Sequence, residues 1–366
     1  MVAARRPAIA GPGPWGSMRL FRHHTEVPVE ARGAVVALGN FDGVHRGHQA
    51  VIAAAGGIAR ERDASVAVLT FEPHPRSFFQ PGRAPFRLTP FRIKMRQLEA
   101  IGVDYVCVMH FDDTLAKKSA EAFVIEILNE GLAVSHVVVG HDFVFGRERR
   151  GNAALLADLG ALHGFGITIV SAAGDGDEVF SSTRVREHLL AGRPLDAGRL
   201  LGRPWEIVGR VEHGDRRGHE LGYPTANVAL GEYLEPRLGI YAVKAGIDEG
   251  RDTVWRDGVA YVGRRPTVGG IELRLETHLF DYEGDLYGRQ LRVALIEFLR
   301  GDERFETLAA LRARMDIDAD LARQVLAAYG GPAPGAAPER LPTRGRPEGS
   351  ESRNVYERAL RPRQNA

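Results

Sequence analysis

The sequence predicts two domains of different class, an α/β domain followed by a β domain, and three observations support this. Strand-like and helix-like segments alternate from about residue 33 to 190, as in an open, doubly wound parallel sheet. From 205 to 299, six strand-like segments follow one another without helices, as in a small antiparallel barrel. The length of 366 residues suits two domains. We therefore expect a Rossmann-like N-terminal domain and a six-stranded C-terminal β-barrel with a C-terminal helix.

Five apolar runs rich in β-branched residues form the predicted parallel sheet. Such runs are typical of strands buried on both faces, and ligands of these sheets bind beyond the carboxyl ends of the strands. The predicted strands are 35–38, 66–71, 105–110, 136–139 and 167–170.

Helical patterns lie between these runs and after the last of them. Thr89 followed by Pro90 predicts a helix start with a threonine cap, and glycines at 102, 131 and 164 predict helix ends. The predicted helices are 49–62, 90–101, 120–129, 153–163 and 183–191.

The C-terminal half predicts the strands of the barrel and one long helix. The predicted helix spans 302–328, with an apolar stripe that we expect to pack on the barrel. The stripe consists of Phe305, Leu308, Leu311, Met315, Leu321 and Val325. The predicted strands are 205–212, 223–230, 239–247, 257–263, 272–280 and 289–299.

Changes in composition predict the domain boundaries. Residues 1–18 and 330–366 are rich in Pro, Gly, Ala and Arg, so we expect both ends to be disordered, with Met18 a plausible alternative start. Two Gly-Arg-Pro steps mark a linker. The predicted parts are a disordered extension at 1–18, domains at 19–190 and 205–329, a linker at 191–204 and a disordered tail at 330–366.

The composition argues against several classes of protein. A net charge of +1 gives no reason to expect nucleic acid or acidic membranes as partners. No apolar run is long enough to span a bilayer, and the N-terminus has no apolar signal core. Cys107 is the only cysteine and lies in an apolar run, which predicts a buried, unreactive thiol. We therefore expect a cytoplasmic protein.

The most informative segment is 39–49, Gly-Asn-Phe-Asp-Gly-Val-His-Arg-Gly-His-Gln, directly after a predicted strand. A strand that breaks into glycines and then opens a helix presents free amides to an anion. His45 and His48 are three residues apart and can face the same phosphates, and Gly47 between them leaves room for close approach. His-x-Gly-His alone would suggest two surface histidines. With Asn40, Asp42 and the preceding strand, it favours nucleotide chemistry.

Three further segments lie where a ligand of this sheet would bind. Residues 70–75 end the second strand, and residues 140–152 contain Asp142, Phe143, Gly146 and Asn152 after the fourth. Residues 181–186 open a helix in which Ser182 is the expected cap and Arg186 a bidentate phosphate ligand. Each has an ordinary structural explanation, but their joint placement favours a common site.

The C-terminal half suggests a second site. It lacks the P-loop signature, but it has a glycine-rich stretch containing Gly214, Gly218 and Gly222 that can wrap phosphates. Thr225 and Asn227 are two apart and, if extended, can hold one Mg²⁺. Glu276 is a candidate general base if it points into the barrel, although an outer, charged strand face explains it about equally well.

These segments together resemble the bifunctional bacterial riboflavin kinase/FAD synthetase family. The N-terminal segments resemble its His-x-Gly-His nucleotidyltransferase half, and Pro-Thr-Ala-Asn at 224–227 with Glu-Thr-His-Leu-Phe-Asp at 276–281 resembles its flavokinase half. Segments 263–267 and 281–288 also match, and the resemblance spans about residues 33–328. It implies that riboflavin is phosphorylated by ATP to FMN, and that FMN then attacks the α-phosphorus of ATP to give FAD and pyrophosphate.

The resemblance also implies roles for single residues. In the N-terminal half it assigns ATP phosphates to one group of side chains, and adenine or flavin to the segment from Asp142 to Gly146. The ATP group is Asn40, Asp42, His45, Gly47, His48, Ser182, Thr183 and Arg186.

In the C-terminal half, the resemblance implies that Thr225 and Asn227 bind Mg²⁺ and that Glu276 acts as the base. This chain has Tyr261 where the family usually has Asn, and Arg216 where a small or basic residue occurs. The expected ligands are therefore ATP, riboflavin, FMN, FAD and Mg²⁺, with no nucleic acid, no membrane and no protein partner that the sequence identifies.

Two other classes remain open from the sequence. One is a flavin-binding regulatory protein with one or both sites inactive, against which the intact sets around His48 and Glu276 argue. The other is an RNA-binding relative of the His-x-Gly-His enzymes, which the near-neutral charge disfavours.

Overall fold

The computed structural model describes residues 18–82, 84–175, 178–213, 222–267 and 270–341. It contains a six-stranded parallel sheet in the N-terminal half and a closed six-stranded antiparallel barrel in the C-terminal half, followed by a long helix. The predicted fold class is therefore confirmed.

The parallel sheet has the strand order β1-β4-β3-β2-β5-β8. Its central strands are buried because Val and Ala side chains pack against helices on both faces; all four residues of β2 are buried. The edge strand β1 has only three residues and was not predicted. The strands are β1 (Arg19–Phe21), β2 (Val35–Leu38), β3 (Val66–Glu72), β4 (Tyr105–His110), β5 (His136–Gly140) and β8 (Gly166–Val170).

Two short hairpins extend from the ends of this sheet. One pairs β6 (Val144–Phe145) with β7 (Gly151–Asn152), and the other pairs β9 (Gly174–Asp175) with β10 (Glu178–Val179). Both precede helices and therefore shape the rim of the sheet where its strands end.

The helices follow the predicted order. One predicted helix, 120–129, is a short α-helical turn that continues as a π-helix over Phe123–Gly131. The α-helices are α1 (Arg46–Glu61), α2 (Pro75–Phe79), α3 (Phe91–Ile101), α4 (Asp113–Lys117), α5 (Ala120–Ala122), α6 (Ala153–His163), α7 (Ser182–Leu190), α8 (Pro194–Leu201) and α9 (Leu308–Ala327).

The barrel closes in the order β11-β12-β15-β14-β13-β16, because β11 pairs with both β12 and β16. Alternate residues of its strands fill the interior, including Val228, Val262 and Leu275, which are fully buried. The strands are β11 (Trp205–Glu212), β12 (Ala226–Ala229), β13 (Gly239–Ile247), β14 (Arg256–Thr267), β15 (Gly270–Leu279) and β16 (Gln290–Arg300).

The predicted packing face of α9 is only partly correct. Val325 packs against the buried cluster that contains Ala319, Ala322 and Leu326. Leu308 and Leu321, which were also predicted to pack on the barrel, are exposed. The buried Asp318 fixes this rotation, since its carboxylate receives a bidentate hydrogen bond from Arg300 on β16. Small alanines allow the helix to approach the barrel closely, and a count of large apolar residues does not reveal this.

One apolar cluster crosses the boundary between the two domains. Leu88, Val185 and Leu189 of the N-terminal half belong to the same buried cluster as the barrel interior, and the indole N–H of Trp205 donates to the Leu88 carbonyl at 2.9 Å. Helix α8 lies within the predicted linker. Because apolar side chains are buried continuously across the boundary, the domains are firmly docked.

Residues 330–341 differ from the expectation of a disordered tail, and we call them the C-terminal strap. The Gly335 N–H donates to Glu206 of the barrel at 2.6 Å, and the Leu341 N–H donates to the Ile101 carbonyl of α3 at 2.7 Å. The Leu341 side chain is buried against Gly56 of α1, where an added Cβ would lie 2.6 Å from a Leu341 methyl carbon. The strap therefore connects the barrel to the helices of the parallel-sheet domain.

Candidate active sites

The loop from 39 to 45 joins β2 to α1 and brings the two histidines of the predicted motif together. His45 is the N-cap of α1, and its Nδ1 accepts the His48 N–H at 3.3 Å. The two imidazoles stack with ring centroids 3.6 Å apart. The space beside Gly47 is filled within the protein, because a Cβ there would lie 2.9 Å from the Phe180 carbonyl oxygen. Only glycine fits at this position.

Both histidines of this loop are neutral at physiological pH. Burial lowers the pKa of His45 to about 3, with Arg203 and Arg186 adding to the effect and Asp42 opposing it. Burial also lowers the pKa of His48 well below its usual value. Because His45 Nδ1 accepts a hydrogen bond, its proton is on Nε2, which is the arrangement of a neutral donor. The Nδ1 atom of His48 is buried without a partner among the described residues.

Asp42 is buried and forms hydrogen bonds with several separate segments of the protein. Its carboxylate accepts hydrogen bonds from the amides of Leu88 and Thr89, each at 3.0 Å, and from Arg186 at 2.5 Å. Thr89 is therefore not the helix cap we predicted: Pro90 occupies that position, and the threonine hydroxyl accepts the Gly43 N–H. Asp42 fixes the segment before α3 and the start of α7 around the histidine loop.

Helix α7 starts one residue earlier than predicted. Its cap is Ser181, which accepts the Arg184 N–H at 3.2 Å, so the predicted cap at Ser182 is wrong. The Ser182 hydroxyl instead donates to the Asp42 carbonyl at 2.8 Å, and Thr183 is exposed at the helix start. Arg186 is bound by Asp42 and by the Phe86 carbonyl, so part of its hydrogen-bonding capacity is used within the protein.

The segment after β5 contains some residues that are accessible to a ligand and others whose contacts lie within the protein. Asp142 is exposed and Phe143 is partly buried, stacked with Phe145 at 5.5 Å. Gly146 has φ of +70°, and a Cβ there would lie 2.7 Å from the Ala120 amide nitrogen. Asn152 caps α6 by accepting the Leu155 N–H at 2.9 Å. Gly146 and Asn152 therefore have structural explanations, while Asp142 and Phe143 are accessible to a ligand.

Asn40 is exposed at the start of the histidine loop, and two nearby features were not predicted. Lys94 of α3 is buried with its ammonium 3.0 Å from the Asn40 carbonyl. Phe78, Phe79 and Phe111 form an aromatic cluster with centroids 5.2 to 5.6 Å apart, and Phe79 is exposed. Adjacent phenylalanines after the second strand were visible in the sequence. No sequence pattern predicted the burial of Lys94.

His74 lies between the histidine loop and the aromatic cluster. Its Nδ1 accepts the Arg76 N–H at 3.0 Å at the start of α2, and its ring packs edge-on against Phe86. Burial lowers the pKa of His74 to about 4. A third neutral imidazole therefore borders this part of the molecule.

The predicted kinase residues meet on the barrel through strand register. Asn227 of β12 pairs directly with Glu276 of β15, and Glu276 pairs with Tyr261 of β14, so the three share one face. Leu275 and Thr277 fill the barrel, and Glu276 therefore lies on the outer face. The alternative in which it points inward is wrong, so its role as a base is supported by the family resemblance and by its pairing with Asn227, not by burial in the barrel. Tyr261, which stands where the family usually has Asn, therefore lies beside Glu276, the expected base. Its hydroxyl donates to Asp302 at 3.2 Å.

Asn227 has the properties of a cation ligand. It is buried, its Nδ2 donates to the Thr225 carbonyl at 3.3 Å, and its Oδ1 has no partner among the described residues. An unpaired buried amide oxygen is costly unless a ligand satisfies it. Thr225 precedes it in a segment held at Pro224, whose carbonyl is 2.9 Å from His278 Nδ1. The oxygen donors therefore suit Mg²⁺, which prefers such ligands.

The predicted glycines of the kinase loop are only partly described. Gly214 and Gly218 lie outside the described residues, as does Arg216. Gly222 is exposed with φ of +86°, a left-handed conformation that favours glycine. Its position directly before Tyr223 and Pro224 makes it part of the turn that leads into β12.

Comparison with known proteins assigns both halves of the chain. A family model described as FAD synthetase matches residues 27–184, and a riboflavin kinase model matches residues 201–326. The bifunctional riboflavin kinase/FMN adenylyltransferase of Escherichia coli K12 is 41% identical over 309 residues, which cover 84% of this chain and 97% of that protein. The chain belongs to this family.

Other members of the family are also similar, and one solved structure has a similar fold. The bifunctional enzymes of Pseudomonas fluorescens and Bacillus subtilis are 43% and 36% identical and cover 85% and 81% of this chain. They are matched over 98% and 93% of their own lengths. A crystal structure described as a macrolide-efflux protein from Streptococcus pneumoniae is similar with a TM-score of 0.74 and 28% identity, over 84% of this chain and 99% of that one.

Two conclusions follow for this chain. It carries the FMN adenylyltransferase activity in its N-terminal half and the riboflavin kinase activity in its C-terminal half, as the sequence predicted. Within the part of the chain that the structure describes, no helix is both long and apolar enough to cross a membrane.

Proposed function

We propose that the histidine loop binds ATP and catalyses adenylyl transfer by positioning and hydrogen bonding. A phosphate oxygen of FMN attacks the α-phosphorus of ATP, and pyrophosphate leaves with the electrons of the broken P–O bond. The neutral N–H groups of His45 and His48 donate to the phosphates as charge develops on the leaving group. The observation that supports this most directly is the stacked pair of uncharged imidazoles at the start of α1.

The remaining residues of the loop and of α7 complete this site. Asn40, exposed at the loop start, and Thr183, exposed at the helix start, offer polar groups to the triphosphate, with Ser182 beside them. Asp42 acts through Arg186 and holds this guanidinium at the site, with Gly47 keeping the loop close to α7. These roles follow from the shared placement of the residues around one helix start.

Adenine and flavin need flat apolar surfaces with a few polar groups. We assign the adenine or flavin contacts to Asp142 and Phe143, with Gly146 and Asn152 holding that segment in place. The cluster of Phe78, Phe79 and Phe111 offers a second aromatic surface, which suits the isoalloxazine ring of FMN.

For the kinase site we propose that Glu276 removes the proton from the ribityl 5′-hydroxyl of riboflavin as that oxygen attacks the γ-phosphorus of ATP. Thr225 and Asn227 would hold Mg²⁺, which when bound neutralises charge on the phosphates. Gly214, Gly218 and Gly222 belong to the loop proposed to cover ATP. The pairing of Asn227 with Glu276 across neighbouring strands supports a shared site.

A time course that follows riboflavin, FMN and FAD with ATP and Mg²⁺ tests the whole assignment. FMN should rise before FAD, and omission of Mg²⁺ should stop the first step. We also propose a cytoplasmic enzyme whose partners are these small molecules, without nucleic acid or membrane. Conversion of FMN to FAD without any conversion of riboflavin would contradict the kinase assignment alone.

A further inference from the structure

Side chains of β3, α1, α3 and α7, together with Arg203, turn four carbonyl groups of the histidine loop toward the protein interior. This matters because the C=O and the following N–H of a trans peptide point in opposite directions. The pairs are the Asn40 carbonyl with Thr70 and Lys94, the Asp42 carbonyl with Ser182, the Gly43 carbonyl with Arg203, and the Val44 carbonyl with Gln49 and Arg203.

Lys94 and Arg203 are the charged donors of this set, and neither forms an ion pair among the described residues. Arg203 donates to three carbonyl groups. Lys94, in contrast, is 1% exposed, and its one hydrogen bond among the described residues is the contact of 3.0 Å with Asn40. The buried Arg292 forms an ion pair with Glu206, and the partly buried Arg186 forms one with Asp42. Burial of an ammonium without a direct ion pair is costly, so its retention calls for a compensating role.

The peptide between Asn40 and Phe41 indicates what that role is. Since Lys94 holds the Asn40 carbonyl inward, the Phe41 N–H points to the opposite side, and no described residue accepts it. Phe41 has φ of +53°, a left-handed conformation that is unfavourable for phenylalanine, and its ring packs 5.1 Å from the ring of His48. Amides presented in this way bind anions.

We propose that Lys94 is a positioning residue for adenylyl transfer. Its ammonium holds the Asn40 carbonyl so that the Phe41 amide faces the phosphates of ATP, and the phosphates bring further negative charge close to the ammonium. The inference rests on the proposed triphosphate site at His45 and His48 and adds a residue that does not itself touch the substrate.

The test is Lys94→Met, which keeps the length and apolar volume of the side chain and removes its charge. The Asn40 carbonyl keeps its hydrogen bond from Thr70, so the substitution leaves no buried acceptor unpaired. We expect kcat/KM for ATP in adenylyl transfer to fall about 10- to 100-fold, the effect of losing a charged hydrogen bond. The melting temperature should stay the same or rise, and riboflavin kinase kinetics should be unchanged.

A pH profile separates positioning from a purely structural role. Burial lowers the pKa of Lys94, with Asp42, Glu72 and Glu232 opposing this shift and Arg87 adding to it; the nearby His48 and His74 are neutral. As pH rises, Lys94 loses its proton, and wild-type kcat/KM for ATP in adenylyl transfer should decline. The Lys94→Met protein should lack this alkaline decline.

The possible outcomes are distinct. Equal loss of both activities together with a lower melting temperature would show that Lys94 serves only the fold. Adenylyl transfer within twofold of wild type would also overturn the proposal, while leaving the assignment of His45 and His48 intact. Failure of the wild-type chain to form FAD would instead contradict the proposed function itself.

Discussion

The two candidate active sites of this protein are held together in different ways. In the adenylyltransferase half, side chains from β3, α1, α3, α7 and the start of the barrel domain converge on one loop and hold its backbone. In the kinase half, strand pairing alone places Asn227 beside Glu276. The first site therefore depends on many distant contacts, whereas the second depends mainly on local strand register. Mutations should distinguish these two designs.

The largest effect is expected at the kinase base. Glu276→Gln should lower riboflavin phosphorylation about 100- to 10,000-fold, because an amide cannot accept the hydroxyl proton. FMN supplied from outside should still be converted to FAD at the wild-type rate. Glu272→Gln, on the same face of β15, is the matched control and should retain kinase activity. Loss of both activities in the folded Glu276 variant would rule out separate sites.

The reciprocal change is His48→Ala. We expect FAD formation to fall about 100- to 1,000-fold, because one preorganised donor to the phosphates is lost. FMN should accumulate from riboflavin at the normal rate, as chromatography of the flavins would show. A normal rate of FAD formation would remove His48 from the site.

Arg203 tests whether the first site needs the second domain. This buried residue lies within the riboflavin kinase match, yet it donates to the Gly43 carbonyl at 2.7 Å in the histidine loop. Arg203→Met should reduce FAD formation about 10-fold, because a buried carbonyl loses its charged donor, and should affect riboflavin phosphorylation less. Arg199→Met is the control, since that side chain is 74% exposed. Equal effects of the two changes would contradict this dependence.

The C-terminal strap offers a matched pair of substitutions in one helix. Gly56→Ala should displace Leu341, whereas Gly57→Ala, where an added Cβ meets nothing within 4 Å, should stabilise α1 by about 0.5–1 kcal/mol. Thermal melts of the two variants should therefore shift in opposite directions. A higher melting temperature for both would show that Leu341 contributes little.

The smallest expected change is in the rate of adenylyl transfer as the pH is lowered from 8 to 5. Because burial lowers the pKa of His45 to about 3, His45 should not gain a proton between pH 8 and 5, and burial shifts the pKa of His48 in the same direction. The kcat for FAD formation should then show no histidine titration in this range. The stability, in contrast to the rate, should depend on pH. Since these histidines bind protons more readily in the unfolded chain, the free energy of unfolding should decrease as pH falls below about 6.5. Measurements of rate and of melting temperature from pH 8 to 5 would check both.

The sequence predicted most of the fold because its signals are local. Runs of β-branched residues located five parallel strands within about two residues, and β4 matched at both ends. The three-residue β1 carries too little pattern to be recognised, and the contact face of α9 depends on Arg300 and Asp318 meeting across the fold. Local patterns do not contain such a contact.

For the candidate sites, the motifs named segments that the structure brings together, but they did not predict the contacts of each residue. The stacked pair at His45 and His48 follows from their spacing on a helix start. The internal bonds of Asp42 and the new partner of Thr89 depend on segments more than 40 residues apart, as the separation of 47 between them indicates. Lys94 was missed for the same reason, because burial of one helix residue is set by its neighbours in space.

The apolar core that crosses the domain boundary has a practical consequence for dissection of this protein. A fragment ending near residue 190 would expose Leu88, Val185 and Leu189, which are packed with the barrel interior. It would also lose Arg203 and the leucine that fills the groove over Gly56. An excised N-terminal half would therefore tend to aggregate, and inhibitors directed at either reaction are best screened against the intact polypeptide.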